Sequence, residues 1–196
     1  MTQVTSTLHV HLTPFASPIA TARLTLLPAT TADIEAELSS HEAFAQRLGD
    51  GVEVPSCWPP DEYDEGAQRF FRDCLSQLGD MGVGWYGWYA LHYADEEKTA
   101  ATVVAGGGYF GPPNADGVVE LGYSVCPEWR GQGYATEIAS ALAAHAARQP
   151  GVARVIAHTS AENRASVRVL ERSRFVLSGG GLEPGTLRFE YLPVTI

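Results

Sequence analysis

The chain has 196 residues, 45% of them hydrophobic and 18% charged, with 20 Gly, 12 Pro and a net charge of −10. That is enough apolar material for one core and too little length for two ordinary domains, and it excludes a collagen, a coiled coil or a disordered chain. No run approaches the roughly 18 uninterrupted apolar residues of a membrane helix, and Met1 to Thr13 lacks the basic start and apolar stretch of a secretory signal.

Cys57, Cys74 and Cys126 form no CxxC pair, which argues against a disulfide framework or a metal site and fits a reducing cytoplasm. The charge is unevenly placed. Residues 1–100 hold 15 acids and 5 bases, whereas residues 101–196 hold 8 of each. Within the second half, 130–174 carries seven arginines against three glutamates and suits a polyanion. Arg148, Arg154 and Arg172 read as a solvated face. The acidic first half makes nucleic acid an unsuitable partner, because phosphate binding needs a broad basic surface. Lys98 is the only lysine in the sequence, which removes a P-loop or a lysine nucleophile.

In chain order, residues 1–20 read as a loose N-terminal arm ahead of a single domain over 21–196. Thr21–Leu27 alternates as a strand. Thr30-Thr31-Ala32-Asp33 starts a helix running to about Ser40, and a second helix covers Glu42–Leu48. Asp61–Leu78 reads as a helix with Tyr63, Ala67, Phe70, Phe71, Cys74 and Leu78 on one face. Trp85–Tyr93 and Ala101–Phe110 form a hairpin across Asp95–Lys98, and Val118–Val125 is the next strand. Tyr134–Arg148 is an Ala-rich helix stopped by Gln149-Pro150-Gly151. Strand Val152–Thr159, helix Arg164–Ser173, strand Phe175–Ser178, a turn at Gly179-Gly180-Gly181 and strand Thr186–Leu192 complete the chain. This order defines one α/β (α+β) domain with a mixed sheet and helices on its faces.

The chemistry concentrates in Val125-Cys126-Pro127-Glu128-Trp129-Arg130-Gly131-Gln132-Gly133-Tyr134-Ala135-Thr136. A strand ends, a turn holds Arg-Gly-x-Gly, and a helix begins at once. The glycines let backbone approach a ligand, the helix N-terminus contributes partial positive charge, and Arg130 adds a full one. Together they read as a pyrophosphate cradle. A glycine-rich connection that binds nothing is the plain alternative. Gly106-Gly107-Gly108-Tyr109-Phe110-Gly111 also fits GxGxxG, but Pro112-Pro113-Asn114 follows where a dinucleotide site needs a helix. It reads instead as a strand end where backbones pack closely.

Arg130-Gly131-Gln132-Gly133-Tyr134-Ala135 resembles the acetyl-CoA signature of the GCN5-related N-acetyltransferases. Three further stretches carry the same resemblance: Ala22–Leu26, Val119–Val125, and Asn163-Arg164-Ala165-Ser166-Val167-Arg168-Val169-Leu170-Glu171. Within the superfamily the chain is most similar to the RimJ/RimL-type ribosomal-protein N-terminal acetyltransferases. The likeness is strong over 118–175 and weak over 40–100. It implies a mostly antiparallel mixed sheet with helices on both faces. A fork between the family's fourth and fifth strands, here 118–125 and 152–159, would admit the pantetheine arm. It further implies acetyl-CoA as cosubstrate and Val125 N–H as donor to the thioester carbonyl. Backbone of Gly131 to Ala135 would sit around the pyrophosphate, and Asn163 and Ser166 beside the pantetheine.

Glu120 is the first candidate for the base, since a mid-strand carboxylate among apolar neighbours is costly unless used or paired. A cross-strand pair with an arginine is the alternative. His158 is the second candidate, against a hydrogen-bonded structural histidine. Either would act directly or through a water. Many relatives use a tyrosine as acid where this chain has Leu170, which leaves Ser166 as the nearest hydroxyl, or else as a helix-capping serine. Asn163 doubles as a candidate N-cap. Arg174 replaces a usual glycine and puts its turn in question.

Trp58, Tyr63, Trp85 and Trp88, with acids drawn from Glu53, Asp61, Glu62, Asp64 and Glu65, are candidates for a cationic-amine pocket. An α-amine, with pKa about 7.7–8.0 against about 10.4 for lysine, suits a site with an uncertain base. The expected activity is therefore N-acetylation of a protein N-terminus or a small-molecule amine. A non-catalytic acyl-CoA-binding module is the alternative. The resemblance adds the expectation of a homodimer.

Overall fold

The computed structural model describes residues 17–95, 99–181 and 183–193. Its strands are β1 (Ile19–Ala20), β2 (Leu24–Pro28), β3 (Val52–Glu53), β4 (Gly87–Tyr93), β5 (Ala101–Tyr109), β6 (Val118–Val125), β7 (Arg154–Ser160), β8 (Phe175–Gly180) and β9 (Thr186–Tyr191). The α-helices are α1 (Thr31–Ser39), α2 (His41–Leu48), α3 (Glu65–Leu78), α4 (Tyr134–Ala146) and α5 (Arg164–Arg172). No helix of the described residues is long and apolar enough to cross a membrane.

The strands form one mixed sheet in the order β1-β2-β4-β5-β6-β7-β9-β8, with β3 pairing beside the start of β5. All neighbours are antiparallel except β6–β7 and β3–β5. Helices cover both faces, as the sequence predicts. Tyr89 turns its hydroxyl to Glu37 on α1, while the preceding Trp88 meets His145 on α4 edge-on. Successive residues of a strand point to opposite faces, so one hydrophobic run serves two helical layers.

Local chemistry sets the helix starts. Thr30 and Asp33 form a reciprocal capping box at α1. Asp64 accepts from Ala67 N–H and starts α3 at Glu65, four residues later than the sequence reading. The buried face of α3 is Gln68, Phe71 and Leu75, whereas Phe70 and Leu78 are exposed. Two further boundaries are corrected. Ile19–Ala20 pairs with Thr25–Leu26, so the expected arm over 1–20 ends in a strand, and residues 1–16 lie outside the described ones. Gly179 and Gly180 belong to β8 and not to a turn. Arg174 keeps the turn that a glycine would make, at φ 68°.

Gly106, Gly107 and Gly108 sit within β5, at the close approach the sequence suggests. A Cβ on Gly106 would lie 2.7 Å from the Tyr63 ring, and one on Gly108 would strike the Tyr86 carbonyl.

Candidate active site

β6 and β7 pair only over Val118–Glu120 and Arg154–Ile156. Beyond Glu120, β6 stays with β5 while β7 continues with β9, and the two strands part. The fork is therefore a product of register. On the β5 side, the Glu120 carbonyl accepts from Phe110 N–H and Cys126 N–H donates to the Val104 carbonyl. The alternation of an antiparallel ladder then turns the amides of Tyr123 and Val125 toward the edge that β7 has left. Val125 N–H faces the fork, as its expected donor role requires.

The cradle follows directly. Gly131 and Gly133 have φ 76° and 86°, in the left-handed region that favours glycine. Gly133 is the N-cap of α4, and no side chain caps that end. The free N–H groups of the first turn point into a cleft of about 370 Å³ lined by Gly131, Gly133, Tyr134, Ala135 and Thr136. Uncapped amides, a favourable helix dipole and room for backbone approach are what a pyrophosphate needs, so these residues fit coenzyme A. Arg130 shapes the cleft wall. Its Nε donates to the Val125 carbonyl at 2.9 Å and its guanidinium pairs with Asp61 at 2.8 Å.

Gln132 does not line the cleft; its side chain turns to the Glu128 carbonyl. Its own carbonyl accepts from Arg23 at 2.8 Å. Arg23 also pairs with Glu137 in α4 at 2.7 Å and lies over the Tyr134 ring. Burial pushes the Glu137 carboxyl up, but the bonds from Thr21 and Arg23 outweigh it and hold it below the usual range. Arg23 thus braces the cradle from the bend just ahead of β2, which starts at Leu24 and not at Thr21 as the sequence suggests, a role the sequence reading missed. Arg172 is exposed, as a solvated face requires, but that face borders the cleft, together with Arg168 one helical turn earlier on α5.

Two hydroxyl and carboxyl pairs flank the fork. On one side, Glu120 Oε1 lies 2.8 Å from His158 Nδ1. The sequence offers them as separate candidates, and the fold joins them, in place of an arginine pair for Glu120. His158 Nε2 is buried with no partner among the described residues. On the other side, Tyr123 Oη lies 3.1 Å from Ser166 Oγ. Burial pushes the Tyr123 hydroxyl up to about 12, against the pull of the Ser166 bond, so it keeps its proton at neutral pH. A tyrosine thus reaches this position from β6, not from α5, where Leu170 is buried. Asn163 accepts from Ser166 N–H at 3.0 Å and caps α5 while lining the cleft.

A smaller cavity of about 200 Å³ lies on the Glu120–His158 side. Glu62 and Tyr123 line it, the cleft, and the opening of about 160 Å³ between the forked strands, so the three spaces adjoin. Trp58, Trp85 and Trp88 are corrected from pocket to core; all three are buried and away from the cavity, and only Tyr63 of the named aromatics touches it. Of the named acids, Glu62 lines the cavity, Asp64 caps α3, Glu65 pairs with Arg69, and Asp61 holds Arg130. Among the described residues no group of three or more His, Cys, Asp or Glu is placed to hold a metal.

A forked sheet with an uncapped helix start beside the fork is a frame suited to an acyltransferase that takes its acyl group from coenzyme A. Residues 23–176 match the model of the acetyltransferase (GNAT) domain family, and the chain belongs to that family. It is 27% identical over 143 residues to the uncharacterised N-acetyltransferase YjdG of Bacillus subtilis, covering 73% of this chain and 79% of that protein. The fold matches the acetyltransferase from Agrobacterium tumefaciens at a TM-score of 0.59 and 21% identity, over 90% of this chain and 95% of that one. It also matches RimL, the ribosomal L7/L12 α-N-protein acetyltransferase in complex with coenzyme A, at 0.60 and 18%, over 90% and 98%. The protein is an acetyl-CoA-dependent N-acetyltransferase, and its acceptors are amines.

Proposed function

We propose that the acceptor is the α-amine of a protein N-terminus or of a small molecule, and that it enters on the Glu120–His158 side of the fork. The observation that carries this reading is the opening of the fork onto that pair, at the far side from the cradle. Bound acetyl-CoA supplies an activated thioester, whose C–S bond breaks as the amine C–N bond forms. The first turn of α4 holds the pyrophosphate. Val125 N–H donates to the carbonyl oxygen, where negative charge grows. Glu120, oriented by His158, takes the ammonium proton directly or through one water. Tyr123 and Ser166 give a proton to the departing sulfur, and the second proton, which the nitrogen sheds once the C–N bond has formed, restores theirs. The amine thus gives up the proton it cannot keep, and the thiolate gains the one it needs.

The RimL match supports an N-terminal acceptor by likeness of fold alone. Leu170 is the one argument for a non-catalytic acyl-CoA-binding module, and Tyr123 weakens it by bringing a hydroxyl from another element. Three free cysteines fit work in a reducing cytoplasm. The resemblance to RimJ/RimL-type enzymes further suggests a homodimer, which light scattering tests. The functional test is free-thiol release from acetyl-CoA with pooled N-terminal peptides, amino acids, polyamines and aminoglycosides. Release dependent on one pool is expected. Calorimetric binding of acetyl-CoA with silence from every pool would overturn the transferase mechanism in favour of the binding module.

A further inference from the structure

The acceptor cavity carries two unlike kinds of side chain. Glu62, Glu120 and His158 line it together with Phe71 and Phe110, and Phe110 stands opposite Glu120 across the β5–β6 ladder. A strip with no side chains, Gly106 to Gly108 and Gly122, completes the lining. A Cβ on Gly122 would lie 3.3 Å from the Phe110 ring, so the absent side chain sets the width there. No Lys or Arg is among the residues lining this cavity.

The aromatic lining continues outward. Phe71 packs against Phe110, Tyr86 and Phe70 with ring centroids 5.6–6.3 Å apart. Phe110 is 52% exposed and Phe70 46% exposed. Aromatic side chains this open are costly unless something apolar covers them. The carboxylates of the same cavity attract a cation and repel a second carboxylate.

We infer that the preferred acceptor is an amine flanked by an aromatic or large aliphatic group and carrying no carboxylate beside it. An N-terminal Phe, Leu or Met in a peptide has this chemistry, and so does an arylalkylamine. A free amino acid does not, because its carboxylate would enter beside Glu62 and Glu120 with no cation to receive it. A polyamine or an aminoglycoside has nothing to lay against Phe71 and Phe110. This inference rests on the proposed entry of the amine at the Glu120–His158 side.

The experiment compares kcat/KM by thiol release across matched acceptors. The panel is peptides beginning with Phe, Leu, Met, Ser or Asp, together with free phenylalanine, phenylalaninamide, phenethylamine and spermidine. Peptides beginning with Phe or Leu are expected to exceed those beginning with Ser or Asp at least ten-fold, and phenylalaninamide to exceed phenylalanine by as much. Phenethylamine on a par with the best peptide would place the recognition in the ring and amine alone, within the same chemistry. Phe110→Ala should collapse the Phe-over-Ser ratio toward one. Glu62→Lys should erase the preference for the amide over the free acid. Both residues are exposed, and a thermal melt checks that each variant folds. Calorimetric binding of phenylalaninamide, against none for phenylalanine, gives a readout independent of turnover. Faster turnover of Ser peptides, spermidine or free phenylalanine would overturn this inference and leave the transferase standing. Silence from every amine would overturn both.

Discussion

Gly131 offers the sharpest test of the cradle, because strain and function separate there. Its φ of 76° lies where an L-residue is strained, and a Cβ built on it meets no protein atom within 4 Å. An alanine at this site therefore costs about 1–2 kcal/mol of backbone strain, and its methyl stands in the cleft. Gly185, at φ 82°, is the control: it has the same open surroundings and does not line the cleft. Both alanine variants should lose stability alike, by roughly 2–4 °C in Tm per kcal/mol for a chain of this size. Only Gly131→Ala should lose the ligand. Loss of one charge-assisted N–H contact, worth about 1.5–3 kcal/mol, weakens acetyl-CoA roughly ten- to 150-fold. Calorimetry with acetyl-CoA and a thermal melt on each variant give both quantities. Unchanged affinity in Gly131→Ala, or an equal loss in Gly185→Ala, would refute the placement of the pyrophosphate.

Tyr123→Phe and Ser166→Ala should each lower kcat about 100-fold with little change in KM for acetyl-CoA, and the double variant should be no worse than the weaker single one, since the two hydroxyls act as a unit. An undiminished kcat in Tyr123→Phe would remove it from proton transfer. Glu37 accepts from Trp58, Tyr63, Gln68 and Tyr89, and burial pushes its carboxyl up to about 7 against the pull of those four bonds. The folded chain thus binds this proton more tightly than the unfolded one. Its contribution is complete below about pH 4.5 and is lost as pH rises through about 7. The stability of the wild type relative to Glu37→Gln should fall by about 2–3 kcal/mol between pH 5 and pH 8, and a flat difference in urea unfolding would refute it. Arg174 sits just past the end of α5 at φ 68°, where glycine is the usual residue. Arg174→Gly should raise stability by about 1 kcal/mol, read as a higher Tm; a lower Tm would mean that the side chain holds the turn.

The features legible in the sequence are those whose cause is local. The Gly131 and Gly133 conformations, the Thr30–Asp33 box and the Asn163 cap each depend on residues within four positions of one another. The strand pattern from Val118 to Val125 sets the ladder, and the ladder alone turns Val125 N–H toward the fork. Features that depend on distant partners were hidden. Arg23 braces a turn 109 residues away, Tyr123 finds Ser166 across 43, and Glu120 finds His158 across 38. Composition misleads most where aromatics cluster, since Trp85-Tyr86-Gly87-Trp88-Tyr89 fits a pocket or a core equally well. Trp88 goes to the α4 side and Tyr89 to the α1 side, so neighbours in the chain cannot share a wall.

That division also explains why cofactor and acceptor differ in how far the sequence reveals them. The proposed cofactor cradle is built of backbone, whose geometry two glycines announce, whereas the proposed acceptor cavity is lined by side chains gathered from α3, β5, β6 and β7 and the loop bearing Glu62. A cradle of backbone amides tolerates change in almost every side chain but its glycines. A wall of side chains can be rebuilt one residue at a time. In this chain that wall combines aromatic and acidic side chains, with Phe110 opposite Glu120, and those two properties are where its choice of amine must be tested.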